Sequence, residues 1–260
     1  MRKSVLLIFL GSIIFWSCRD SKTETITEDH KAKEMFQGLW VMDENGGSVL
    51  LAKGDSISFP DSASVPVHFW INSDSIFLKG QNVNSYKIIK QSENVFRMMN
   101  KNGEEVTLVK SDNKNLLSDF KYHAYAMNTF LKESSDTLVK TEAGYFQSEV
   151  FCQTSSERVI KPTFNDLGIE VDNVYLDNTA RLNITNGGKL IYSHEFKKQE
   201  FQSMIDKAFL ERSILKRFVF NRTDLKALYY NAMIGIPDAA TSYVIEVRIT
   251  TDGKVTTRMT

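Results

Sequence analysis

Apolar residues in the first half of this chain come in short bursts that alternate with polar neighbours, and turn-forming residues separate the bursts. The runs fall at 39–42, 49–51, 57–59, 65–71, 76–78, 86–89, 95–99 and 106–109. Alternation with a period of two is the signature of strands with one buried face. Asn45-Gly46-Gly47, Lys53-Gly54-Asp55 and Asn102-Gly103 lie between runs, and Asn-Gly and Gly-Gly supply the positive φ that tight hairpins require. Short strands so closely spaced predict an antiparallel meander closed into a small barrel over 35–112.

Beyond this region the pattern loosens and then resumes. Residues 111–115 read as a linker, and 116–132 fit a helix or irregular structure equally well. Strands are predicted at 137–140 and 145–151, turning through Glu142-Ala143-Gly144, and at 174–184 and 190–196, turning through Asn186-Gly187-Gly188. Further strands follow at 214–220, 225–236, 243–250 and 255–259, with Pro237-Asp238 and Asp252-Gly253 as breaks. Phe201, Ile205, Ala208 and Phe209 recur at helical spacing and predict one helix at 198–212. The expected fold class is mainly β with a minor α+β element. A small antiparallel barrel precedes a β-rich region, 113–260, built as a second sheet or sandwich with that helix.

The N-terminus is patterned differently. Arg2 and Lys3 precede a mainly apolar run over 4–16, followed by Ser17-Cys18 and an abruptly polar stretch. A transmembrane helix needs about 20 apolar residues, so this run has the size of a secretory signal over 1–17. A cysteine directly after a small residue resembles a bacterial lipoprotein signal, in which that cysteine is acylated and becomes the new N-terminus. The resemblance makes Cys18 the lipidation site; an ordinary cleaved signal and an uncleaved anchor are the alternatives. Residues 18–34 are polar apart from Ile26 and read as a flexible tether, with a helical turn or two possible from Glu28.

Composition narrows the partners. Lys and Arg number 32 against 32 Asp and Glu, and loss of Arg2 and Lys3 leaves a slight acidic excess, so nucleic acid is not an expected partner. The membrane, through the lipid, and an envelope protein are the expected ones. With Cys18 acylated, Cys152 has no thiol to pair with, and its strand-like surroundings favour a buried small hydrophobe over a nucleophile.

Chemistry-bearing patterns are sparse. His30, His68, His123 and His194 form no i, i+4 pair and none adjoins a cysteine, so surface or core positions outweigh metal ligation. His194 and Glu195 are strand neighbours and should face opposite ways. No Gly-x-Ser-x-Gly elbow, phosphate-cradling loop or dinucleotide fingerprint occurs, no cofactor is expected, and the expectation is a non-enzymatic protein. Asp166, Glu170, Asp172 and Asp177 offer hard oxygen ligands that calcium would accept, although a solvated loop of edge-strand charges explains them more simply. Trp40, Phe59, Phe69, Trp70, Phe77, Tyr86 and Phe96 are expected to fill the barrel rather than line a pocket. In Leu228-Tyr229-Tyr230, Tyr229 should face away from both neighbours.

Gly38-Leu39-Trp40 opening a meander resembles the start of lipocalin-like domains, where the Trp closes one barrel end. The stretches Gly54-Asp55-Ser56-Ile57-Ser58-Phe59-Pro60-Asp61-Ser62 and Val171-Asp172-Asn173-Val174-Tyr175-Leu176-Asp177-Asn178 carry a second resemblance, with Phe196-Lys197-Lys198 and Ile236-Pro237-Asp238-Ala239. They resemble a family of lipoproteins of unknown function from Bacteroidales-type bacteria. That resemblance implies an outer-membrane lipoprotein and no known activity, so it transfers no catalytic residue. Asp20 stands between Arg19 and Lys22 without the acidic cluster that follows the cysteine in surface-exposed relatives, which favours the periplasmic face. The expected role is a binding or scaffold module. A lipocalin-like carrier of a small apolar ligand is the alternative, and an enzyme the third.

Overall fold

The computed structural model describes residues 28–60, 63–121 and 132–260. Cys18, the signal segment and His123 lie outside the described residues. Eight antiparallel strands form a closed barrel: β1 (Gly38–Met42), β2 (Ser48–Lys53), β3 (Ser56–Ser58), β4 (Val67–Asn72), β5 (Ser75–Lys79), β6 (Val83–Gln91), β7 (Val95–Met99) and β8 (Glu105–Ser111). Pairing of β1 with β8, Trp40 opposite Lys110, joins the two edges. Closure leaves no edge strand to pair with other chains.

Alternation along each strand decides what enters the barrel. Val67, Phe69 and Ile71 point inward from β4, and Ile76 and Leu78 from β5. Trp70 and Phe77 therefore fall on the outer face, where their rings stack 5.2 Å apart. This corrects the expectation that they fill the interior, while Trp40, Phe59, Phe69, Tyr86 and Phe96 do.

Both barrel ends are covered. Helix α1 (His30–Met35) lies over one, with Asp29 as N-cap accepting from the Ala32 amide at 2.9 Å. The Asp29 amide bonds Ile71 O at 2.8 Å, and buried Lys33 reaches Glu28 and Asp55 at 2.6 and 2.5 Å. Residues 28–34 are thus part of the barrel, not the end of a free tether. The Phe36 ring enters the core and lies 5.3 Å from Trp40 and 4.4 Å from Phe96, while the Trp40 indole N–H donates to Phe36 O at 2.7 Å.

The opposite end is closed by a long hairpin from the second unit. Strands β9 (Lys132–Thr141), β10 (Gly144–Phe164), β11 (Glu170–Asn186) and β12 (Lys189–Phe196) make one sheet in the order β12-β11-β10-β9. β10 and β11 run well beyond the spans predicted for them, because residues 158–164 pair with 170–176 as a two-stranded arm. Pro162 is tolerated there because only β11 borders it. The arm's tip places Ile169 and Val171 in the barrel core.

The second sheet is β13 (Ile214–Thr223), β14 (Ala227–Gly235), β15 (Ser242–Thr250) and β16 (Val255–Met259), paired antiparallel in sequence order. Phe146, Val150, Cys152, Leu182 and Phe196 from the first sheet share one core with Phe218, Tyr230, Ile245 and Val247 from the second. The connection between the sheets corrects the single helix expected at 198–212. It is a 3₁₀ turn, Lys198–Phe201, then a separate short helix, α2 (Lys207–Glu211), begun by the Asp206 carboxylate accepting from the Phe209 amide at 3.1 Å. That cap restarts the chain where the apolar spacing alone predicted continuity. The linker contains a further 3₁₀ helix, Lys114–Phe120.

Candidate functional site

The acidic residues expected to share a solvated loop lie instead along β11 and its approach. Asp166 is exposed and Glu170 half-buried, but Asp172 and Asp177 are buried. Asp172 accepts from the Gln81 amide at 2.7 Å, where hairpin meets barrel, and burial pushes its carboxyl above the ordinary range. Asp177 faces Lys198 at 3.4 Å inside the second unit and accepts the Leu215 and Asn178 amides, each at 2.8 Å. Burial raises its pKa despite the ammonium beside it. The four do not converge, and among the described residues no three His, Cys, Asp or Glu side chains gather in a metal-binding arrangement.

The remaining candidates are dispersed too. His68 is exposed, with Nδ1 3.0 Å from Asp55 O, and His194 meets Glu200 at 2.8 Å on the surface. Cys152 is buried against Phe218 O at 3.7 Å, and burial pushes its thiol up to about 11. It is a core thiol, not a poised nucleophile.

Convergent polar groups occur on the outer face of the second sheet. β13, β14, β15 and β16 place Arg222, Tyr229, Arg248 and Thr256 side by side in one cross-strand row. The next row on that face carries Asn231, Glu246 and Arg258. Inward neighbours Tyr230, Ile245, Val247 and Ile249 hold the strands on the core, so this alternation obliges the charged set to face out. Arg222 joins the set through a bulge. Phe220 pairs with Tyr230 and packs on the core, and two residues later Arg222 would also point inward. The register shift between Phe220 and Arg222 turns it outward, opposite Tyr229.

The groups are then locked together. Glu246, with its side chain 7% exposed, accepts from Arg222 Nη2 at 3.1 Å and Arg258 Nε at 2.8 Å. These hydrogen bonds, Arg258 foremost, hold its carboxyl below the usual range. The Arg222 guanidinium stacks 3.5 Å above the Tyr229 ring, and Arg248 Nε donates to the Tyr229 hydroxyl at 3.2 Å. The hydroxyl in turn donates to Asp224 at 2.6 Å, which holds that carboxyl low as well. Together Arg222, Tyr229, Glu246, Arg248, Thr256, Thr257 and Arg258 line a cleft of about 350 Å³.

No motif marks these arginines in the sequence. The available signal was the alternation Ile245, Val247, Ile249 against Glu246 and Arg248, together with Tyr229 facing away from Tyr230. The bulge that recruits Arg222 leaves no mark a single sequence reveals.

No curated protein matches the chain. Residues 112–257, which include both sheets but for the last two residues of β16, and all the cleft residues except Arg258, match the model of a domain of unknown function, DUF4738. That match spans more than half of the chain, and the protein belongs to the DUF4738 family.

Proposed function

We propose that this protein is a lipid-anchored, non-enzymatic binding module of the cell envelope, with the outer face of its C-terminal sheet as the recognition surface. The observation that carries the binding role is the bulge-directed Arg222 completing an arginine-lined cleft around a fixed carboxylate. Glu246 and Asp224 are both held ionised by donors, which suits a rigid recognition surface and not a proton-transferring pair. Support for the anchor comes from the cationic start, the apolar run and Ser17-Cys18. With acylation at Cys18 the anchor precedes the barrel in the chain, and the lone Asp20 favours the periplasmic side of the outer membrane. The carrier role finds less support, because Phe36, Trp40, Phe69 and Phe96 occupy the barrel interior and the hairpin tip enters its far end.

Two comparisons in cells test this. Wild-type chain should take up a fatty-acid label and partition into detergent, and Cys18→Ser should do neither; acylation of the serine variant would overturn the anchor. Crosslinked envelopes should yield a discrete partner with wild type that is absent with the Arg222→Ser/Arg248→Met double variant, at equal membrane recovery. An identical set of co-purified species from both would overturn the recognition surface.

A further inference from the structure

We infer that the cleft on the outer face of the C-terminal sheet is an oxyanion site, which takes a tetrahedral oxyanion of the phosphate or sulfate class. The inference rests on the binding-module reading and names the chemistry of its ligand.

Charge is the first ground. Three guanidinium groups line the cleft against one carboxylate, Glu246, which Arg222 and Arg258 already share. Arg248 makes no ion pair among the described residues; its named partner is the Tyr229 hydroxyl, through Nε. The lining therefore carries a surplus of two positive charges. Asp224 stands at the rim and feels the charge of Arg248; its oxygens accept from Tyr229 at 2.6 Å and from the Lys226 and Ala227 amides, each at 2.8 Å. These neutral donors leave its charge in place, so lining and rim together keep a positive surplus of one. An oxyanion answers this surplus, and guanidinium forks match the oxygens of phosphate and sulfate in geometry.

Preorganisation is the second ground. Long arginine side chains normally lose rotamer freedom when they close on a ligand. Here that ordering is made beforehand: Glu246 holds Arg222 and Arg258, the Tyr229 ring carries Arg222, and the Tyr229 hydroxyl fixes the Nε of Arg248. Arg248 Nε is engaged, so its terminal nitrogens remain as the donors for an incoming oxyanion. The Thr256 hydroxyl lies in the same cross-strand row as Arg248 and offers a further donor. A purely structural account explains Arg222 and Arg258 as partners of a buried carboxylate. It gives no reason for the third arginine, Arg248, which Glu246 does not engage.

The test is a titration of the full-length chain in detergent micelles with inorganic phosphate and with sulfate. Ionic strength is held constant with chloride, and binding is followed by calorimetry and by the arginine Nε–H resonances. Both ions should bind and shift the Arg248 and Arg222 resonances. Arg248→Met should weaken both by at least about tenfold, the loss expected for a charge-assisted hydrogen bond. Arg248→Lys keeps the charge without the fork and should fall between the two. Thermal unfolding without ligand establishes that the variants are folded. Acidification supplies a second readout. Inorganic phosphate loses its second charge near pH 7, about a unit above a phosphate ester, so its affinity should drop as pH falls through that value, while that of sulfate holds. Across this window Glu246 and Asp224, held low by their donors, stay ionised.

Absence of binding by either ion, or equal affinity in wild type and Arg248→Met, would overturn the oxyanion assignment. The crosslinking comparison described above would then decide separately whether the surface still recognises a partner through other chemistry.

Discussion

Trp40 shows how much one side chain carries in the barrel. It is fully buried, stacks on Phe36 and gives its indole proton to the carbonyl of the same residue. Trp40→Ala should therefore cost about 3–5 kcal/mol, through the lost ring and the cavity it leaves. Denaturant titration of the full chain followed by circular dichroism measures this, and a midpoint close to wild type would contradict the packing. Lys198 makes the electrostatic counterpart. Its ammonium faces Asp177 at 3.4 Å and donates to Ser213 O at 2.5 Å, with both side chains out of water. Lys198→Met should cost about 3–5 kcal/mol by leaving a buried carboxylate without its cation. Asp172 predicts the reverse sign. Burial raises its folded pKa above the unfolded value, so the ionised form destabilises the protein at neutral pH. That penalty is relieved as pH falls through the folded pKa toward the unfolded one. Asp172→Asn should accordingly be more stable than wild type at neutral pH, and the gap should close on acidification. A variant less stable at neutral pH, or a gap that does not change, would contradict this.

At the scale of elements, legibility followed the strength of local chemistry. The eight barrel strands were readable because turn-forming residues separate the alternating runs, glycine-bearing in some gaps and Asn-Ser-Asp or Ser-Glu-Asn in others, and β7 and β16 fall at their predicted bounds. The same alternation, applied residue by residue, places Trp70 and Phe77 outside; counting aromatic rings as a group hid this. The single helix over 198–212 failed because Asp206 competes for a backbone amide in mid-segment. The arm formed by the far halves of β10 and β11 was not readable, since Ser155, Ser156, Glu157 and Pro162 break the apolar pattern in a segment held by pairing to one neighbour only. The burial of Asp172 and Asp177 was equally hidden, because the first depends on what the arm meets in the barrel and the second on Lys198 and the start of β13. The two short features that make the candidate site differ in the same way: the outward row on β14 and β15 follows from alternation, but the bulge before Arg222 does not.

The contact between arm and barrel defines the molecule as a whole. The Val65 and Val174 amides bond Asp172 O and Ala63 O, each at 3.0 Å; the Tyr86 hydroxyl accepts from the Glu170 amide at 2.9 Å; and Asn100 donates to Leu167 O at 3.0 Å. With Ile169 and Val171 in the barrel core, these bonds join the two β units directly and not merely through the linker. Gly80 is central to the fit, because a Cβ there would overlap the Asp172 carboxylate. Gly80→Ala should loosen the joint, seen as faster hydrogen exchange of the amides of residues 169–174 with the barrel's own amides unchanged; uniform protection in both chains would contradict it. The proposed role depends on the outer face of the C-terminal sheet being the surface that meets a partner. Its most direct test is site-specific photo-crosslinking in growing cells. A photoreactive residue in place of Thr256, beside the arginine cleft, should capture one discrete partner, and the same residue in place of Gln147, on the outer face of the other sheet, should not. Capture of nothing at Thr256, or the same products from both positions, would contradict the claim that this face is where the protein binds.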